Sequence, residues 1–301
     1  MRTLVVSDLH LVEEEMPFTK GAVQNSIIML DEVVRTVKED KEIGLVVFLG
    51  DISNEHETPK TETTKNAWES RFRELRRILD SRVNAMPEFT LFNRDGTKSK
   101  GTNRVLTIKG NHDFMNNDKW RREKTYCDDL IERGILAYPD ALMYTDNGKE
   151  YYFQFRSFGE GDKTLDADYI NAEKVVVFAH DWFYGEELPE DYQYWASFGR
   201  TVYELSSVVS GVDVFIQGHA HSRYEPFTVS GLADKVRQSP QKPKTDFYIP
   251  GTNARSPFAP TMFRDEGYNL LLDTKDGLVV SDVFLKLKPY KEYFNMDYKK
   301  K

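Results

Sequence analysis

The sequence predicts an α/β fold, and three observations carry that prediction. Short apolar runs recur at residues 4–6, 45–49, 105–108, 175–179 and 214–216, each ending in a polar cluster. Runs this short and this uniformly apolar suit strands buried on both faces. Between them, apolar residues return at three- and four-residue spacing, the period of a helix with one buried side. In the second half, turn signals separate further strand-like runs, so part of the sheet is expected to be antiparallel.

The elements follow in order. Thr3-Leu4-Val5-Val6 opens the chain as a strand, and Val23, Ile27, Leu30, Val34 and Val37 mark a first helix. After the strand at 45–49, Trp68, Phe72, Leu75 and Leu79 mark a second helix. Residues 84–103 are polar and glycine-bearing and read as a surface insertion. The strand at 105–108 precedes a helical segment near 118–133. Asp146-Asn147-Gly148 before 151–155 signals a hairpin, as does Asp276-Gly277 between 267–273 and 278–285. A second irregular stretch spans 231–244, and residues 286–301 form a basic C-terminal tail. No internal repeat or low-complexity linker divides the chain, so residues 1–301 are expected to form one domain.

Composition excludes several classes. The chain is 40% hydrophobic and 30% charged, a soluble globular balance. No run approaches the ~20 apolar residues that span a bilayer, so no membrane partner is expected. Met1-Arg2 leads directly into the first strand, leaving no room for a signal peptide. The single cysteine, Cys127, excludes an internal disulfide and fits a reducing compartment, so a cytoplasmic location is expected. A net charge of −8 argues against nonspecific coating of duplex DNA, which depends on displacing counterions from phosphates. It leaves open nucleic acid reaching a locally positive site, because two divalent ions would add four charges that the formal count omits.

The informative residues lie where the apolar runs stop. The first run stops at Ser7-Asp8-Leu9-His10, the second at Gly50-Asp51 and the third at Gly110-Asn111-His112-Asp113. The fourth stops at His180-Asp181 and the fifth at Gly218-His219-Ala220-His221. Five of the six histidines therefore fall at strand ends, where α/β sheets bind ligands. A lone histidine at a strand end is ordinarily a hydrogen-bonded structural residue; five such clusters in succession have no comparable structural explanation. Carboxylate, imidazole and amide oxygen together suit Mn, Fe, Zn, Co or Ni rather than calcium or copper(I). Asp8 and His10, like His219 and His221, are two residues apart and can share one face of an extended segment. Gly110 and Gly218 permit a sharp turn where backbone nears a ligand. A bridging carboxylate at Asp51 would hold two ions about 3.5–4 Å apart.

These five motifs resemble those of the calcineurin-like metallophosphoesterases over residues 3 to about 221. The resemblance implies two mixed β-sheets packed face to face with flanking helices, a four-layer sandwich. It also implies two divalent transition-metal ions, with Mn(II) the expected ion and Fe, Zn, Co or Ni as other candidates. Asp8, His10, Asp51 and His221 would hold one ion, and Asp51, Asn111, His180 and His219 the other. The nucleophile would be a hydroxide bridging the metals, and His112 would face the phosphate as the catalytic acid. Asp113 has two roles open to it: orienting His112 in catalysis, or N-capping the helix near 118–133.

Departures from related families narrow the substrate. Ser/Thr protein phosphatases follow the Gly-Asp motif with a further Asp and Arg, whereas Ile52-Ser53-Asn54 stands here; they also carry Glu at the position of Asp113. Purple acid phosphatases place a tyrosine ligand where this chain has Asn54. The stretch from Tyr248 through Pro250-Gly251-Thr252 to Arg255, with Glu266-Gly267-Tyr268 beyond, resembles the SbcD-type DNA exonucleases. That resemblance implies a phosphodiester substrate of DNA or RNA and a partner ATPase, with His56, Arg223 and Arg255 as substrate-binding candidates. The departures are Thr252 for Ser, no Lys before Gly267, an unusual spacing of His56 from Asp51, and a chain that ends before the family's capping domain. A small-molecule or cyclic-nucleotide phosphodiesterase, for which Gly50-Asp51-Ile52-Ser53-Asn54 is also familiar, is the alternative. A catalytically silent protein-binding scaffold is the remote one, since such proteins lose the ligand residues that are all kept here.

Overall fold

The computed structural model describes residues 1–11, 22–53, 62–114, 125–161, 163, 172–184, 199–201, 211–220, 224–230, 244–249, 266–275 and 277–286. In chain order the elements are β1 (Arg2–Val6), α1 (Ala22–Glu39), β2 (Ile43–Phe48), α2 (Glu62–Asp80), β3 (Phe89–Asn93), β4 (Lys98–Lys100) and β5 (Val105–Thr107). Then come α3 (Tyr126–Glu132), β6 (Pro139–Asp146), β7 (Lys149–Arg156), β8 (Lys174–Ala179), β9 (Phe183–Tyr184) and β10 (Arg200–Thr201). The order closes with β11 (Val214–Gln217), β12 (Tyr224–Ser230), β13 (Lys244–Ile249), β14 (Glu266–Asp273) and β15 (Val279–Lys286).

Two mixed sheets result. One has the order β15-β14-β1-β2-β5, and the other β12-β13-β11-β8-β7-β6-β3-β4. Within the first, β1, β2 and β5 are parallel; within the second, β7, β8, β11 and β13 are parallel. The alternation of side chains explains the continuous apolar runs. Val5, Leu45 and Val47 from the first sheet meet Phe153, Val176, Phe178 and Ile216 from the second in one core between the sheets. Leu4, Val6, Val46 and Phe48 point the other way, onto Leu30, Val33 and Val37 of α1 and Trp68, Phe72 and Leu75 of α2. Val175 and Val177 reach a third apolar cluster on the outer face of the second sheet, with Phe183 and Phe215. Strands β1, β2, β5, β8 and β11 are therefore buried on both faces, as their composition requires.

The β6–β7 hairpin turns at Asn147 and Gly148, whose φ values of 50° and 77° place both in the left-handed region that this turn demands. Two expectations need correction. Residues 84–103 are not an irregular insertion: β3 and β4 form an antiparallel hairpin that extends the second sheet beside β6, with Phe89 and Leu91 in the core. Turn residues Asp95-Gly96 and the polar β4 disguised it. The helix expected near 118–133 starts at Tyr126, where Thr125 caps it by accepting from the Asp128 N–H at 3.1 Å. Asp113 is therefore not its cap. The segment at 231–243 and the tail beyond Lys286 lie outside the described residues. Among the described residues, no helix is long and apolar enough to cross a membrane.

Candidate metal centre

The parallel strands deliver their carboxyl ends to one edge of the sandwich. There the backbone leaves ordinary geometry: Asp8, His10, Asp51 and His219 have φ values of 52°, 43°, 48° and 66°. Each such residue costs on the order of 1–3 kcal/mol, so the surrounding structure must hold it there. Backbone bonds do part of this, with His10 N–H donating to the Asp51 carbonyl and Leu11 N–H to that of Ile52, both at 2.8 Å.

Asp51 sits at the centre, fully buried. Its Oδ1 accepts from the His112 backbone N–H at 2.9 Å. Its Oδ2 accepts no normal hydrogen bond, yet lies 3.4 Å from His180 Nε2, 3.5 Å from His10 Nε2 and 4.0 Å from His112 Nε2. Two groups of ligand atoms converge on it: His10, Asp51 and His112 in one, Asp51, His180 and His219 in the other. His10 Nε2 also lies 3.9 Å from Asp8 Oδ1. On the other side, the His180 Nδ1–H donates to the Leu49 carbonyl at 2.6 Å, which turns Nε2 inward. In the metal-free protein the protonated ring donates from Nε2 to Asn111 Oδ1 at 2.9 Å, so a proton holds the position that a metal would take.

The titration behaviour points the same way. Burial alone would push His180 down, but Asp51 and Asp8 outweigh it and raise it to about 10. Burial likewise favours the neutral form of Asp51, but the imidazoles of His180, His10 and His112 hold it well below the ordinary carboxylate range. Burial lifts Asp8 to about 7, with Asp51 adding repulsion. Without metal, a proton on His180 supplies the cation that the carboxylates demand. The residues present thus fit divalent ions of borderline character, and bound ions would displace that proton.

Gly110 matters for close approach rather than for turn handedness. Its φ is −87°, and a Cβ there would stand 2.0 Å from Asp51 Oδ1 and 2.6 Å from His180 Cε1. His112 is 20% exposed, whereas the side chains of Asp51 and His180 are fully buried, so His112 stands at the mouth of the site. Asp113 is buried, and both its oxygens are engaged. Oδ2 accepts from Ile52 N–H at 3.2 Å and Gly110 N–H at 3.1 Å; Oδ1 accepts from Ser53 N–H at 3.1 Å and Ser53 Oγ at 3.0 Å. It ties the loop carrying Asp51 to the loop carrying Asn111 and His112.

The structure brings together Asp8, His10, Asp51, Asn111, His112, His180 and His219. His221, His56, Arg223 and Arg255 lie outside the described residues. Three contributors escaped the sequence reading: Ser7, whose hydroxyl donates to Asp8 Oδ2; the Leu49 carbonyl; and Phe158, whose ring centroid lies 5.6 Å from that of His219. Phe158 could have been found by the rule that found the ligands, since Ser157-Phe158-Gly159 also ends an apolar strand run.

Comparison with known proteins bears on the assignment. Among curated proteins none matches the sequence. Solved structures resemble the chain at low identity. A 5'-nucleotidase precursor from Thermus thermophilus is 13% identical with a TM-score of 0.46, over 95% of this chain and 54% of its own. The calcineurin-like phosphoesterase YfkN from Bacillus subtilis is 11% identical with a TM-score of 0.44, over 95% and 90%. An archaeal phosphodiesterase is 11% identical with a TM-score of 0.37, over 94% and 99%. This chain spans about half the length of the Thermus nucleotidase. The calcineurin-like phosphoesterase family matches residues 1–223, most of the chain and all five motifs. The chain belongs to that family, the metal-dependent hydrolases of phosphoester bonds.

Proposed function

We propose that this protein is a dinuclear metal-dependent phosphodiesterase acting on nucleic acid. The carrying observation is Asp51, which belongs to both clusters of candidate ligand atoms and whose buried Oδ2 lies 3.5 Å from His10, 3.4 Å from His180 and 4.0 Å from the partly exposed His112. Asp8, His10, Asp51 and His221 would hold one ion, and Asp51, Asn111, His180 and His219 the other. Bound ions would supply Lewis-acid charge for the phosphate oxygens and a water acidic enough to attack near neutral pH. His112, at the mouth, donates a proton from its imidazole to the departing alkoxide. Asp113 acts through the loops of Asp51 and Asn111, not on substrate.

Support for a nucleic-acid substrate comes from the SbcD-like stretch, whose Arg255 is the proposed contact to a flanking phosphate. His56 and Arg223 are the other proposed substrate contacts, Mn(II) the proposed ion, and an ATPase the proposed partner. The net charge of −8 favours the second reading, a small-molecule phosphodiesterase.

The test is a Mn(II) substrate panel of single- and double-stranded DNA, RNA, cyclic nucleotides and a phosphomonoester. Polymer cleavage that weakens steeply with added salt is expected; salt-independent cleavage of cyclic nucleotides alone would select the second reading. His112→Ala is expected to keep its metal and lose about 10²–10⁴-fold in turnover. Full activity in that variant would overturn its role as the acid.

A further inference from the structure

We infer that Phe158 is a stacking residue for the base next to the scissile phosphodiester. The inference rests on the phosphodiesterase reading and adds to it the group that would recognise substrate. Phe158 is half-buried and belongs to none of the three apolar clusters of the described molecule. Its ring instead meets two metal-site imidazoles, His219 at 5.6 Å and His180 at 6.1 Å between centroids. An aromatic ring placed for packing alone would be expected in the core, as Phe153, Phe155 and Phe178 are.

The turn that carries it is fixed from every side. Phe158 N–H donates to the Lys109 carbonyl at 2.8 Å, and Lys109 N–H donates to Ser157 Oγ at 3.1 Å. Those bonds tie the turn to the residue immediately before Gly110-Asn111. Ser157 N–H donates to Glu160 Oε2 at 2.8 Å, and Arg94 Nη1 contacts both Glu160 oxygens, at 2.7 and 2.8 Å. Beyond Phe158, the N–H groups of Gly159 and Gly161 each donate to Asp181 Oδ2 at 2.9 Å, and Asp181 directly follows His180. The turn is thus anchored at both neighbouring ligand loops, one at Lys109 and one at Asp181. A rigid, partly exposed aromatic beside the metal pair loses little side-chain entropy when a flat group stacks on it. Every nucleobase offers such a face, and stacking of this kind tolerates any sequence.

The experiment compares a dinucleotide with its abasic counterpart, which keeps the phosphodiester and sugars but lacks the bases. It uses the full-length wild type, Phe158→Leu and Phe158→Trp with saturating Mn(II). Phe158→Leu keeps an apolar cover over the imidazoles and removes the aromatic face. It is expected to raise KM for the dinucleotide about tenfold, leaving the abasic substrate and the bound metal content unchanged. Phe158→Trp is expected to keep KM at or below the wild-type value. Equal losses on both substrates, or loss of metal from Phe158→Leu, would make the ring a structural shield and overturn the inference. So would unchanged KM values. If the wild type cleaves neither substrate, it is the phosphodiesterase reading that fails.

Discussion

At its first residue, β1 places Arg2 among carboxylates: Asp273 at 2.7 Å, Glu42 at 3.0 Å and Asp40 at 3.1 Å. Just past its last residue, Asp8 is buried near Asp51 and is pushed up to about 7. The contrast extends to the backbone. Around the Arg2 end, the left-handed positions are filled by Asn147, Gly148 and Gly277, which suit that conformation. At the metal end Gly50 and Gly159 are joined by four residues that carry side chains, Asp8, His10, Asp51 and His219. One end of the sandwich is chosen for stability. At the other, side-chain chemistry overrides conformational preference, the pattern of a site whose ligand adds back what the bare protein lacks.

The sharpest way to test that contrast is to add one methyl group at each end. Gly110→Ala would drive a Cβ to 2.0 Å from Asp51 Oδ1 and 2.5 Å from the Asp51 nitrogen. Displacing Asp51 on this scale is expected to cost at least about 10²-fold in kcat/KM, with loss of bound metal by elemental analysis. Gly148→Ala meets nothing within 4 Å, but its φ is 77°. It is expected to cost only about 1 kcal/mol of stability and no activity. Equal activity losses in the two variants would erase the distinction between the ends.

Asp113→Asn comes next. An amide there keeps one accepting oxygen and turns N–H donors toward the backbone N–H groups that the carboxylate now satisfies. The loops of Asp51 and Asn111 should separate slightly, and Mn(II) affinity measured calorimetrically should fall about 10- to 100-fold. Turnover at saturating metal should recover largely. A drop in turnover that no metal concentration restores would return Asp113 to a direct catalytic role.

The ends also differ in how far the sequence disclosed them. The candidate ligands that the structure brings together, Asp8, His10, Asp51, Asn111, His180 and His219, were legible because metal binding calls for carboxylate, imidazole and amide side chains. Their strands were legible because burial on both faces leaves uniformly apolar runs. What supports them was not. The Leu49 carbonyl that orients His180 carries no residue identity, and three of the four donors around Asp113 come from Ile52 and Ser53, 61 and 60 residues away in the chain. The β3–β4 hairpin was misread because its exposed strand, Lys98-Ser99-Lys100, has no apolar face to announce it.

The smallest effects give the contrast a sign, because matched Asp→Asn changes at the two ends should move metal-free stability in opposite directions. Asp8 has a folded pKa raised from 3.8 to about 7, chiefly by burial. Its proton is held more tightly in the folded state, so the stability it contributes is full below pH 4 and is lost as pH rises through about 7. Metal-free Asp8→Asn lacks that loss and should melt about 5 °C above wild type at pH 8, the gap closing by about pH 4. Asp273 is the reverse case: burial opposes ionisation, but Arg2 outweighs it and lowers the folded pKa. Its contribution is present above the unfolded pKa near 4 and is lost as pH falls through the folded value. Asn at 273 retains an Oδ1 acceptor for the Lys275 N–H at 2.9 Å, so the change isolates the Arg2 contact at Oδ2. Both partners are partly exposed, which limits the effect to under about 1 kcal/mol. Metal-free Asp273→Asn should therefore melt about 1–2 °C below wild type at pH 7 and match it near pH 3. Melting shifts of the same sign in the two variants at neutral or higher pH would show that the metal edge carries no stored cost, and that the strained backbone there is compensated before any ion arrives.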